Sequence, residues 1–168
     1  HVRFLNTMMW TPPPLKDYYQ NDEFIFEKPL LVICNKYNSE WDNPPITFLS
    51  KDCLEQLLMK LCPYYNVVYC RPYNKEFVGD NSDVYNLDEH DMIKEKFPEV
   101  MFIQELKNDY PQYSFNEVQC RVFANADRFI SVQGGYSILC SIYWNFILWL
   151  KSFQMDILPK LVKKGRFS

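Results

Sequence analysis

Five short apolar runs, each set apart from the next by a helical pattern or a polar loop, limit what this chain can fold into more than any other feature. The first is Leu30-Leu31-Val32-Ile33-Cys34, and an unbroken apolar run of that length suits a strand buried on both faces of a parallel sheet. Val67-Val68-Tyr69-Cys70, Val100-Met101-Phe102-Ile103, Arg128-Phe129-Ile130-Ser131-Val132 and Phe146-Ile147-Leu148-Trp149 repeat the signal. Helical patterns lie between them. Ser50 predicts a capped helix carrying Leu54, Leu57, Leu58 and Leu61 on one face, stopped by Pro63. Asp88 predicts a capped short helix ending before Pro98. Ser114-Phe115-Asn116-Glu117 has the form of a capping box, opening a helix that runs to about Ala126. Gln133-Gly134-Gly135 reads as a tight turn into a helix over residues 136–144.

Strands that alternate with helices, with no hairpin signal such as Asn-Gly, predict an α/β fold. The expected form is an open parallel sheet with helices on both faces, Rossmann-like and three-layered, over residues 30–168. Residues 1–29 contain Pro12-Pro13-Pro14 and the polar Asn21-Asp22-Glu23, show neither period, and read as an arm or interdomain linker. The last ten residues read as a basic tail whose Lys160, Lys163, Lys164 and Arg166 form a solvated face. The chain has 168 residues and is 48% hydrophobic, enough for one domain with a core. A first residue that is His rather than Met reads as the cut end of a longer chain.

Charge and composition exclude several classes. Eighteen basic against 21 acidic side chains leave a net charge of -3, with no surplus to hold a nucleic-acid backbone. The most apolar stretch, residues 138–150, is broken by Ser141 and Asn145 and is too short for a membrane span. No secretory signal is recognisable, so the expected compartment is the cytoplasm, or the Golgi lumen if an upstream anchor exists. Six cysteines form no CxxC pair and sit mostly in apolar runs, as reduced core thiols do. With His90 the one internal histidine, neither a metal site nor a cofactor is expected. Aromatic residues make up 17% of the chain, which accompanies a general abundance of Asn, Lys and Ile and does not by itself signal stacking.

In an open α/β sheet the ligand lies outside the carboxyl ends of the strands, where strand order reverses. If the order is 3-2-1-4-5, the loops after strands one and four form that crevice. The chain has only four glycines, and two of them, Gly134 and Gly135, fall in the second of these loops just before a helix. Bare backbone there lets a phosphate approach free amides, although a glycine pair equally serves a sharp turn. The turn is neither a dinucleotide fingerprint nor a P-loop. Asn35 and Lys36 begin the first loop, and Lys36 and Arg71 are the cations placed to meet a diphosphate. Glu40 is the candidate acid or base, against a role as an ordinary loop carboxylate. Glu117 is accounted for by its capping box, and Tyr37 and Trp41 either stack on a ligand or pack the loop down.

The segment Ser114-Phe115 through Ala124-Asn125-Ala126-Asp127 to Val132-Gln133-Gly134-Gly135 resembles the carboxyl-terminal half of GT-B glycosyltransferases, most closely those of family sixty-one. Their layout is a helix ending in A-x-A-D, a strand, then V-H-G-A-G-L opening a helix; heptosyl- and fucosyltransferases share a comparable one. The resemblance implies a nucleotide-sugar donor held by this domain at Gln133, Gly134, Gly135, Tyr136 and Ser137. It also implies metal-free inverting transfer to a glycan or protein acceptor, with the base and acceptor site in a separate amino-terminal domain. Gln133 replaces the family's histidine; it donates a hydrogen bond but carries no proton at neutral pH. Two alternatives stand beside this expectation: a non-catalytic interaction module, and a nucleotide-sugar epimerase.

Overall fold

The computed structural model describes residues 13–39, 43–73, 83–143 and 148–150. Five strands, β1 (Leu30–Cys34), β2 (Asn66–Cys70), β3 (Met101–Phe102), β4 (Arg128–Val132) and β5 (Leu148–Leu150), form one sheet in the order β3-β2-β1-β4-β5. Every pairing is parallel. This order sets the carboxyl ends of β1 and β4 side by side where strand order reverses. β1 lies at the centre, paired with β2 from Leu30 opposite Asn66 to Cys34 opposite Cys70, and with β4 from Leu31 opposite Arg128 to Cys34 opposite Ser131.

Successive side chains of β1 enter opposite cores, as the two-residue period of a strand dictates. Leu31 and Ile33 join one cluster, together with Leu54, Leu57 and Leu58 of α2 (Lys51–Leu61) and Ile93 of α3 (Glu89–Lys96). Leu30, Val32 and Cys34 join the other, with Ile103 of α4 (Ile103–Asp109), Val118, Val122 and Phe123 of α5 (Phe115–Asn125), and Cys140 of α6 (Gly135–Tyr143). Helices therefore cover both faces of the sheet.

The caps explain where the long helices begin. Ser50 Oγ accepts from the amide of Cys53 at 3.3 Å, and Ser114 Oγ from the amide of Glu117 at 3.2 Å. Asp88 is a correction: it stands at the predicted start of α3, but its φ is +54° and its side chain makes no capping bond. Instead Asn86 Oδ1 accepts from the Asp88 amide at 3.1 Å, and the Asn86 amide group bonds the Asp88 carboxylate. A second correction concerns the third run, where only Met101 and Phe102 are strand; Ile103 already begins α4, which the apolar pattern conceals.

The arm also contains structure that no period betrays. Leu15–Tyr19 forms a single-turn helix, α1. Beyond it Phe24 is 2% exposed and packs in the same core as α5. Asn125 Nδ2 donates to the carbonyls of Asn21 and Phe24 at 2.6 and 3.2 Å, while the Arg121 guanidinium meets Glu23 at 3.2 Å and lies over the Tyr113 ring. Residues 15–29 are thus strapped to the α5 face. Pro12, most of the loop around Gly79, and the basic tail lie outside the described residues.

Candidate functional site

The carboxyl ends of β1 and β4 are adjacent in the sheet, and the chain leaves them as Asn35-Lys36 and Gln133-Gly134. Gly134 has φ +143°, a conformation that side-chain-bearing residues rarely adopt. A Cβ built there would lie 3.4 Å from Lys36 Nζ, so the lysine of one loop reaches the glycine turn of the other. Gly135 opens α6 with nothing within 4 Å of where its Cβ would be. The amides of Gly135 and Tyr136, in the first turn of α6, have no intrahelical acceptor, and the positive end of the helix dipole adds to them. Cation, bare backbone and helix start together make an anion-favouring corner.

Ser137, 2% exposed, holds the turn in shape. Its hydroxyl donates to the Gly134 carbonyl at 2.7 Å and accepts from the Gly134 amide at 3.3 Å, so its hydrogen-bonding capacity is directed inward. Gln133 is exposed beside it. Tyr136 is half-buried against the core that contains Cys34 and Cys140. Burial first, then the neighbouring thiols of Cys70, Cys34 and Cys140, push its hydroxyl well above the usual tyrosine range, so it remains a protonated donor at neutral pH.

Asn35 and Arg71, by contrast, are buried in a polar network beneath the loops. Asn35 is fully buried; its amide group donates to the Leu49 carbonyl at 3.1 Å and to Tyr69 Oη at 3.0 Å, and its Oδ1 accepts from the Leu49 amide at 2.8 Å. The Arg71 guanidinium, 3% exposed, forks onto the Glu89 carboxylate, with Nη2 to Oε2 at 3.1 Å, and Nη1 reaches the carbonyls of Pro72 and Tyr85. Arg71 thus ties β2 to the start of α3, and its guanidinium nitrogens are spent on protein acceptors. Glu89, Tyr69 and Gln104 went unnoticed because Tyr69 sits inside an apolar run and the other two look like helix surface. Gln104 donates to the Arg71 carbonyl, and its own Oε1 is buried with no hydrogen-bond partner among the described residues.

The loop after β1 does more than carry Lys36. It zips to the segment that precedes α3: Asn38 bridges Val84 antiparallel, Ser39 N–H donates to the Asp83 carbonyl at 2.8 Å, and Tyr85 N–H donates to the Tyr37 carbonyl at 2.9 Å. Tyr37 packs edge-on against Phe48 at 4.7 Å and against Tyr85 at 6.1 Å. Glu40 and Trp41 lie outside the described residues.

Burial keeps the Cys34 and Cys62 thiols protonated. Cys34 and Cys140 are buried with sulfurs 3.8 Å apart, and burial, reinforced by the neighbouring Cys140 and Cys70, pushes the Cys34 thiol well above its ordinary range. Cys62 is pushed up to about 11 by burial and then by Glu99. Among the described residues no three His, Cys, Asp or Glu side chains stand together to hold a metal, and no helix is long and apolar enough to cross a membrane.

A cleft of about 620 Å³ lies at the opposite end of the sheet, between the strap and the turn from α5 into β4, lined among others by Asn21, Lys28, Asn125 and Asp127. Much of its polar lining is already used. Asp127 accepts from the Leu30 amide at 2.8 Å, Lys28 donates to the Cys62 carbonyl at 3.0 Å, and Asn125 holds the strap. Comparison with protein-family models, curated proteins and solved structures finds no match.

Proposed function

We propose that the chain is the donor-binding unit of a GT-B-type glycosyltransferase, which holds a nucleotide-diphosphate sugar and presents it for transfer to a glycan or protein acceptor. The observation that carries this reading is Lys36 Nζ meeting the Gly134 turn at the point where strand order reverses. A diphosphate there takes the ammonium on one side and the Gly135 and Tyr136 amides on the other. The same groups stabilise the charge that develops on the departing diphosphate, so transfer needs no metal at this corner. Gln133 serves as a hydrogen-bond donor, and Tyr136 as a protonated hydroxyl. Arg71 and Asn35 support the loops from below and do not touch the donor.

Isothermal titration with UDP, GDP, ADP and CDP tests the proposal. At least one is expected to bind, and Lys36→Ala to weaken it about tenfold or more, the scale of a lost charge-assisted hydrogen bond. No heat with any of the four removes the reading. A second reading, a non-catalytic interaction module, is favoured by one observation: the Ser137 hydroxyl consumes the Gly134 amide, as a purely structural turn requires.

A further inference from the structure

From the geometry we infer that Tyr85 is the stacking platform for the nucleobase of the bound nucleotide, an inference that rests on the donor-binding reading above. Tyr85 is 42% exposed, yet its backbone is held on both sides. Its amide donates to the Tyr37 carbonyl at 2.9 Å, and its carbonyl accepts from Arg71 Nη1 at 3.2 Å. That arginine is itself clamped to buried Glu89. Tyr37, edge-on to the Tyr85 ring and to Phe48, props it from the side. The buried ion pair fixes the backbone that carries the ring, the Tyr37 edge contact supports the ring itself, and an aromatic side chain with two χ angles has little rotamer freedom to lose on binding.

Position selects the ligand part. The anion corner lies at the end of β4, next to β1, whereas Tyr85 is held by groups that leave the ends of β1 and β2. From β4 to β2 is two strand spacings, about 10 Å, which is of the order of the reach from a diphosphate across a ribose to its base. A ligand anchored by its phosphates at Gly134 and extended along the strand ends brings its base to the Tyr85 ring. Every base has a π-face, so this contact supplies affinity without choosing among bases.

The test uses the whole chain and four probes: UDP, ADP, inorganic pyrophosphate and free uridine. Tyr85→Ala removes only the ring, since both backbone hydrogen bonds persist, and an unchanged melting temperature checks the fold. UDP and ADP are expected to bind the variant about tenfold more weakly, within the range of base-on-aromatic stacking. Pyrophosphate affinity is expected to stay the same, and Tyr85→Phe to restore nucleotide binding. Pyrophosphate and nucleotides that bind equally well to the wild type and to Tyr85→Ala overturn the stacking role while leaving the anion corner intact. Absence of binding by all four probes overturns both. Uridine that binds the wild type as tightly as UDP overturns the phosphate anchor, and with it the donor-binding reading on which the inference rests.

Discussion

At the residue scale, His90 shows how local packing sets a protonation state. Its ring stacks on Phe102 at 3.8 Å and meets Tyr73 edge-on at 5.0 Å. Burial first, and then the Lys94 ammonium with a smaller push from Arg71, lower its proton affinity from the usual 6.5; Glu105 and Glu89 pull the other way. The folded chain therefore protonates His90 less readily than the unfolded chain. Stability due to the neutral ring is complete above pH 6.5 and is lost as the pH falls through that value toward the depressed one. His90→Phe keeps a ring against Phe102 and abolishes the titration. Urea midpoints measured at about pH 7.5 and about pH 5.5 should fall less in the variant than in the wild type, and equal falls would contradict the assignment.

At the scale of the element, the start of α6 separates two glycines that the sequence cannot tell apart. Gly134 needs its positive φ, so any side chain there strains the backbone; Gly135 has open space around it. Gly135→Asp places a carboxylate in the first turn, where the helix dipole favours it by about 0.3–1 kcal/mol. The same charge repels a phosphate. The expected outcome is a melting temperature equal to or above that of the wild type, with nucleotide binding gone. Retained nucleotide binding in a folded Gly135→Asp protein would place the anion elsewhere. For that reason it is a cleaner probe than Gly134→Asp, which confounds charge with strain.

Elements were legible from sequence where one local rule sufficed. Ser50 and Ser114 cap as their type and spacing indicate, the central runs are strands, and Gly134-Gly135 opens a helix. Legibility failed where a specific side-chain partner, near or distant in the chain, overrides the local rule. Asp88 loses its capping role to a local exchange with Asn86, and the third run turns helical after two residues. Arg71, read as a loop cation free to meet a ligand, is instead committed to Glu89, a residue 18 positions away that looks like ordinary helix surface. Of the candidate corner, Lys36 and the glycines could be named from strand order; the zipped lip that carries Tyr85 could not, because a two-residue bridge leaves no periodic trace.

On the scale of the whole molecule, the strap of residues 15–29 belongs to the stability of the sheet. Phe24 inserts into the core beneath α5 and also meets the Tyr110 ring at 4.9 Å. Phe24→Ala should cost about 3–5 kcal/mol, the usual toll for emptying a phenylalanine site, read as a lower urea midpoint with an unchanged slope. A loss below about 1 kcal/mol would mean that the strap merely lies on the surface. Because the strap binds far from the carboxyl edge, nucleotide affinity of the surviving folded protein should be unaltered.

The placing of β1 at the centre of the sheet governs the order in which the protein can assemble as it is made. Its partner on one side, β4, is secured by the Leu30 amide on the Asp127 carboxylate and the Asp127 amide on the Leu30 carbonyl, residues 97 apart in the chain. During synthesis, therefore, one edge of the most apolar strand stays open until most of the chain has been translated. A first half ending after α3 can pair β1 with β2 and cover one face with α2 and α3, but it leaves the α5 face bare. Folding should be limited by closure of that long loop, and the exposed edge of β1 is where premature association would begin.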